Sequence, residues 1–456
     1  MVGIVLIHRN IRLHDNHTLN KALQENDQVA CVFIGTPEQL DAGKNPYHNN
    51  TSIQFMVESL TEMDRELQQH GARLNIFYGE YMDVLKNLLT LFPGSKIYLA
   101  HDFTPYAKRR EQNIKSLTTD VSVIVDDLII FDMSDVLTQK GTPYKTFKPF
   151  YEKIQAKCQN VEAHISTVNF GEKLIAFDLE GIMQTYTVEE FAQVYVPNPQ
   201  VSVHGGRSGA LQILSQTQKF QNYGANRDTP AIDTTWLSAY IKFGCVSMRE
   251  VAKWAKDNYG INSELLRQII WHDFFANLME HATANQTIGG GNFQNKSVQW
   301  QYNDQLLTAW KNGRTGFPLA DAGMRQLNTI GWMHNRVRMV VVGILCHMFL
   351  LDWHEGEKYF AQKLVDYDVS SNNGNWQATA GVGYDYRWRI FNPFTQSTKH
   401  DPMCDYIKKW VPELKNVPNG DIHNWNTQYA KYPSINYPGP LVDYEQQRRQ
   451  AERFLR

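Results

Sequence analysis

The spacing of apolar residues changes partway along this chain, and that change constrains the fold more than any other feature. Up to about residue 125, short apolar runs at 2–7, 29–34, 73–78, 96–100 and 121–125 alternate with stretches at 18–25, 51–70, 81–91 and 105–118, where apolar residues recur every three or four positions. A short continuous apolar run suits a strand buried on both faces, and the longer periodic stretches suit helices. Their alternation predicts an α/β unit with a doubly wound parallel sheet of about five strands and a ligand crevice at the strand C-termini. From residue 207 the period stays helical, over 207–222, 234–241, 247–258, 263–280, 304–312, 319–329, 332–351 and 355–366. That half predicts an all-α domain. Residues 131–200 carry scattered Gly, Pro and polar residues and one helix near 148–157. A loop of that length is unusual inside one compact unit, so it reads as a connector. The expected organisation is an α/β unit at 1–130, a connector at 131–200 and a helical unit at 201–456.

Charge and cysteine usage narrow the function. The formal net charge is -2, which excludes a general basic coat for nucleic acid, so any DNA contact must come from a local patch. Five cysteines, at 31, 158, 245, 346 and 404, form no CxxC pair. Their spacing fits neither zinc nor an iron–sulfur cluster, and free thiols in a reducing compartment are expected, with no metal. Met1 leads directly into the apolar run Val2 to Ile7 and then Arg9, so no signal peptide is expected. The longest apolar stretch, Met339 to Leu351, contains His347 and is too short to span a bilayer. A cytoplasmic chain without a membrane partner follows as the expectation.

Several segments could carry chemistry. Gly205-Gly206 with Gly209, and Gly289 to Gly291, precede no Lys-Ser/Thr pair and follow no clear strand; they read as turns, not phosphate loops. Thr234 to Ser238 opens a predicted helix, where hydroxyls serve as caps or face an anion at the helix N-terminus. Arg338 lies in an otherwise apolar stretch and needs a buried anion or an escape to solvent; Asp366 and Asp368 are candidate partners. Asp366 to Trp376 is rich in amide and acid side chains. These suit the polar edge of a flavin, although an Asn/Gly turn between helices is the plainer reading. Trp300, Trp353 and Trp376 each read as core residues when taken singly.

Taken in order, these segments resemble the photolyase/cryptochrome family across nearly the whole chain. Arg9 to Asn16 looks like that family's opening motif, and Thr104-Pro105-Tyr106 and Thr142 to Phe150 continue the match. Tyr223 to Pro230, Thr234 to Ser238, Trp271, Val298 to Trp300, Gly331 to Met339, Asp352 to Phe360, Asn372 to Gln377, Phe391 to Pro393 and Trp410 to Leu414 complete it. The resemblance implies an antenna domain, a helical domain holding a U-shaped FAD, and light-driven repair of UV-damaged DNA by a monomer. Tyr223, Thr234, Thr235, Leu237 and Ser238 would hold FAD around its diphosphate. Trp271, Asn335, Arg338, Asp366, Asp368 and Asn372 would line or brace the flavin pocket, with Asn372 near N5 and Arg338 paired with Asp366. Trp376, Trp353 and Trp300 would relay an electron between the surface and the flavin. Arg336, Arg389 and Lys399 would bind phosphates of the damaged strand. In the implied reaction the lesion is flipped out of the helix, as photolyases do. Photoexcited reduced FAD then donates one electron to it, and the cyclobutane ring splits.

The lesion is read from single positions. Members that repair the (6-4) photoproduct have a histidine pair where this chain has Asn335 and Met339, which points to cyclobutane dimers. Three positions depart from the dimer-repair pattern: Gln268 stands for a lesion-binding glutamate, His272 for an arginine, and Ala378 for a second stacking tryptophan. Tyr384, Tyr386 or Trp388 is expected to fill the gap left by Ala378. A cryptochrome-like light sensor without repair and a (6-4) enzyme stay open as alternatives. Pro105-Tyr106 replaces an Asn-Glu pair typical of folate-using members, so a second, antenna chromophore is allowed but not identified.

Overall fold

The computed structural model describes residues 2–287, 289–384 and 390–454. Its N-terminal part is built on strands β1 (Val2–Leu6), β2 (Gln28–Gly35), β3 (Asn75–Tyr78), β4 (Lys96–Ala100) and β5 (Val121–Ile124). They run parallel in the order β3-β2-β1-β4-β5. Val5 and Ile7 enter one apolar core, while Ile4 and Leu6 enter another on the opposite face. Burial on both faces is why the strands read as unbroken apolar runs. The strand order reverses between β1 and β4, and the crevice of such a sheet opens there, at the strand C-termini. Arg9, three residues beyond the end of β1, leaves the sheet at this point.

The segment read as a connector returns to the sheet. Leu174–Ile175 forms β6, parallel to β2 and paired with Val29 and Ala30. The Tyr186 amide donates to the Ile76 carbonyl at 2.9 Å, and Val188 and Phe191 bury themselves against the same core. Two apolar residues are too few to display a period, so this strand has no sequence signature.

Most helices of the second half stand where the period puts them, with three instructive differences. The stretch at 332–351 is an α-helix over Asn335–Gly343 that runs on as a π turn over Ile344–Met348. The helix expected from residue 234 begins only at Ser238, and its cap position is Leu237, with no side-chain cap bond. The hydroxyls of Thr234 and Thr235 therefore do not cap it. Val369–Ala380, whose Asn and Gly residues pointed to a turn, is a helix. Asp368 caps it by accepting from the Ser371 amide at 2.7 Å, and Gly374 lets it approach the Glu264–His281 helix. A Cβ at Gly374 would lie 2.2 Å from the Phe275 ring.

Buried charge joins the two halves. Arg12, paired with Asp127 at 2.6 Å, donates to the Gly244 carbonyl at 3.2 Å, and Arg249 of the Met248–Tyr259 helix reaches Asp15 at 3.0 Å. A second clasp is partly exposed: His101, just after β4, bonds Glu111 at 2.8 Å and Glu280 of the Glu264–His281 helix at 3.0 Å. Burial alone would lower the His101 pKa, but the two glutamates raise it from 6.5 to about 9. His17, held by Asp126 and Asp15 against the same cost of burial, also rises to about 9. The folded pKa lies above the unfolded one, so the stabilisation is complete below 6.5 and is lost as pH rises through about 9. We expect stability to fall by about 1–2 kcal/mol between neutral pH and that region, after allowing for solvent screening. Unfolding midpoints across this range test it, and His101→Gln should flatten part of the slope. Among the described residues, no helix is long and apolar enough to cross a membrane.

Candidate functional site

One cavity gathers residues that are far apart in sequence. It encloses about 500 Å³, counted out to its open mouth, and its wall includes Asn335, Arg338, Met339, Asp366, Asp368, Asn372 and Trp376. Two helix starts and the turn before the second build it. Asn335, Arg338 and Met339 share one face of the Asn335–Gly343 helix at i, i+3 and i+4. Asp366 and Asp368 lie in the turn after the Trp353–Lys363 helix. Asn372 and Trp376 follow on the next helix, again four residues apart.

Polar contacts fix these side chains. Arg338 is a quarter exposed and donates through Nη2 to both Asp366 oxygens, at 3.1 and 2.9 Å, and through Nε to the Met333 carbonyl at 2.8 Å. Such a fork holds the guanidinium in one plane. Ser238 Oγ donates to the same Asp366 at 2.7 Å, which brings the start of the Ser238–Phe243 helix to the cavity edge. Just before it, Trp236 has a left-handed φ of 58° and stacks on Trp332 with ring centroids 4.0 Å apart. A non-glycine residue in that region costs of order 1–3 kcal/mol and persists only where its surroundings hold it. Thr234 and Thr235 are half-buried beside it, and Leu237 is buried. Tyr223 is half-buried, and burial pushes its phenol up to about 12.

Asp368 links the cavity to the sheet. Arg9, leaving the switch point, forms an ion pair with Asp368 and a longer one with Asp102 at 3.4 Å. Burial would raise the Asp368 pKa, but the Arg9 charge outweighs it and keeps the carboxyl ionised. The first half of the chain thus anchors the cap of the helix that carries Asn372 and Trp376.

Glu357 is a candidate site residue that the motif reading did not single out. It is 3% exposed, and its Oε1 accepts from the Asn372 amide at 3.1 Å and from Tyr367 at 2.9 Å. Burial raises its pKa above the ordinary carboxyl value despite those bonds. The contact commits the Asn372 NH2 group and leaves its carbonyl oxygen as the acceptor available to the cavity. A signal was present in the sequence. Trp353, Gly356, Glu357, Phe360 and Ala361 form the buried stripe of one helix, and a glutamate within such a stripe needs a reason.

The three tryptophans fall in one core. Trp353 and Trp376 are each 1% exposed, and Trp300 packs against the same cluster. The Gln301 amide donates to the Leu350 carbonyl at 2.8 Å, which ties the Trp300 segment to the turn before Trp353. Trp376 Nε1 is buried without a hydrogen-bond partner in the protein. Its ring edge rests on Gly356, one turn beyond Trp353; a Cβ there would lie 2.1 Å from the ring and 2.6 Å from Leu345. Gly356→Val should therefore destabilise the fold by about 2–3 kcal/mol through overpacking, read as a lowered urea midpoint.

Other expected site residues stand elsewhere. Gln268 and Trp271 lie on the Glu264–His281 helix, both half-buried. The Trp271 ring stacks on Phe147 at 3.6 Å with an interplanar angle of 4°, and Arg267 lies 5.2 Å from the Phe147 ring centre. Lys399 is exposed on the Pro393–His400 helix. Arg336 is mostly buried and paired with Asp228 at 2.9 Å. Tyr384 stacks on Phe293 with centroids 5.2 Å apart and carries Lys145 over its ring. Arg389, Tyr386 and Trp388 lie outside the described residues.

The cavity's donor set suits a planar heterocycle whose edge alternates donors and acceptors, as the flavin of FAD does. An arginine fork, carboxylates and an amide oxygen lie opposite aromatic and aliphatic walls. Comparison with known proteins agrees. Residues 3–168 match the family model for DNA photolyase, and 265–456 match that for the FAD binding domain of DNA photolyase. The chain is 31% identical to the deoxyribodipyrimidine photo-lyase of Buchnera aphidicola subsp. Acyrthosiphon pisum, covering 98% of this chain and 95% of that one. It superposes on the archaeal photolyase from Sulfolobus tokodaii, described with two FAD molecules, at a TM-score of 0.84 and 33% identity, with 99% of each chain covered. The Synechocystis sp. PCC6803 cryptochrome gives a TM-score of 0.84 at 25% identity, again over 99% of each chain.

Proposed function

We propose, from the premise that this chain belongs to the DNA photolyase family and binds FAD, that it repairs UV-damaged DNA by splitting cyclobutane pyrimidine dimers in light. The observation that carries this reading is the convergence of the Arg338–Asp366 pair, the Asn372 amide and the buried Trp376 on one cavity. When bound, FAD supplies the light absorption and one-electron chemistry that opens the cyclobutane ring.

The chain's own residues do the rest. Arg338 and Asp366 would brace the flavin edge, and Asn372, steered by Glu357, would offer an acceptor to N5. Thr234, Thr235, Leu237 and Ser238, with Tyr223, would hold the diphosphate. Trp376, Trp353 and Trp300 carry electrons inward through one apolar core, in which Trp310 also lies beside Trp376. Arg336, Lys399 and Arg389 take DNA phosphates, so affinity falls with salt. Asn335 and Met339 on the cavity wall favour the cyclobutane lesion over the (6-4) product. The enzyme works as a monomer in the cytoplasm.

A light sensor without repair would use the same cavity, and the likeness to the Synechocystis cryptochrome supports that second reading. Illuminating reduced protein with one oligonucleotide carrying a cyclobutane dimer and another carrying a (6-4) product separates the readings. We expect only the dimer strand to be restored, as resolved by chromatography. Restoration of the (6-4) strand alone, or of neither, would overturn the assignment.

A further inference from the structure

Arg336 is not free to meet a phosphate. Its Nη2 donates to Asp228 Oδ1 at 2.9 Å, and its Nη1 faces only the Met339 sulfur at 3.7 Å. Its buried Nε has no partner. The guanidinium is mostly buried and Asp228 is 40% exposed, so the carboxylate can leave for solvent while the arginine stays. Asp228 follows the short helix Tyr223–Asn226. His400 lies near the other side of this loop, close enough for its charge to act on Asp228. Asp228 thus has one oxygen on Arg336.

Burial would raise the Asp228 pKa, but the Arg336 hydrogen bond and the charges of Arg336, Arg227 and His400 hold it low. The carboxylate is therefore an anion at neutral pH. A phosphate that reaches Arg336 meets a guanidinium already holding one carboxylate; the two anions repel, so it gains its full contact by displacing Asp228. We propose that Asp228 is an internal counter-ion that competes with the DNA backbone for Arg336 and thereby sets how tightly the protein holds DNA. This rests on the DNA-repair reading above. It gives Asp228 a role opposite in sign to that of the neighbouring cations. The carboxylate stands in for phosphate in the free protein and must be displaced on binding.

A double-mutant cycle tests it, using the full-length flavoprotein and a duplex oligonucleotide at low and high salt. Asp228→Asn keeps the shape and removes the charge. It should tighten DNA binding about three- to tenfold at low salt, the size expected for a half-exposed ion pair, with the gain shrinking at high salt. Arg336→Met should weaken binding, and in that background Asp228→Asn should change nothing. A gain that survives in the Arg336→Met protein would show a general charge effect and overturn the proposal. So would an Asp228→Asn protein that unfolds at the wild-type midpoint and binds no tighter. If the wild type itself shows no salt-dependent DNA affinity, the DNA-repair reading fails, and the competition fails with it.

Discussion

Arg338→Leu is expected to yield nearly colourless protein that binds FAD at least about a hundredfold more weakly than the wild type. The guanidinium spends its Nη2 on both oxygens of Asp366 and its Nε on a backbone carbonyl. Asp366 is 8% exposed, so without Arg338 it keeps a buried charge with only Ser238 as a donor. Removing one member of a mostly buried pair costs about 2–5 kcal/mol, and each 1.4 kcal/mol is about a factor of ten in affinity. Part of that cost falls on the fold and part on the cofactor, and a second variant divides them. Arg338→Leu with Asp366→Leu removes both charges and should regain stability, since paired apolar replacement is close to neutral. It should not regain FAD, because the fork that braces the flavin edge is gone. Arg338→Lys should also fail to restore tight binding, because an ammonium cannot hold three acceptors in one plane. Flavin absorbance per chain after gel filtration measures binding, and the urea midpoint measures stability.

The largest effect on folding is expected at Arg249. Arg249 is fully buried. It bonds the Asp15 carboxylate at 3.0 Å and the Asp15 carbonyl at 3.1 Å, and it also bonds the Asp126 carbonyl. Those contacts join the Met248–Tyr259 helix to the loops at the edge of the sheet. Arg249→Met keeps most of the volume but leaves Asp15 with His17, at 3.4 Å, and Ser166 as its partners. A loss of about 3–5 kcal/mol follows from removing one member of a buried ion pair. Arg12 retains its own bond to Asp127, so the loss should not double when Arg12→Met is added; the two share partners and will not be additive. Differential scanning calorimetry of the three proteins measures both the loss and the coupling.

Parts of this fold could be read from the sequence because one physical signal dominated locally. Val2–Leu6 and Lys96–Ala100 are strands buried on both faces, and nothing but an apolar run satisfies that. Val369–Ala380 could not be read in the same way. Its helix propensity is poor, and it is helical because Asp368 caps it and Gly374 lets it lie against Phe275. The cap is local, and the packing against Phe275 is tertiary. That Arg338 needs an acidic partner was legible because a charge in an apolar helix demands one; this left Asp366 and Asp368 open, and the family resemblance chose Asp366. Glu357 satisfied the same logic but was not singled out within the Asp352 to Phe360 motif. Asp228 was invisible as a competitor because nothing in the chain order sets it against Arg336, more than a hundred positions away. Its partner emerges only when the loop after Asn226 meets the start of the Asn335–Gly343 helix.

The most direct test of the account is the ultraviolet absorbance of a dimer-containing oligo(dT) mixed with the reduced protein. Light and dark samples are followed side by side. Splitting the cyclobutane ring restores the aromatic thymines, so absorbance should climb steadily under blue or near-ultraviolet light and stay flat in the dark. An illuminated sample that stays as flat as the dark one, from protein carrying a full complement of reduced FAD, would contradict it.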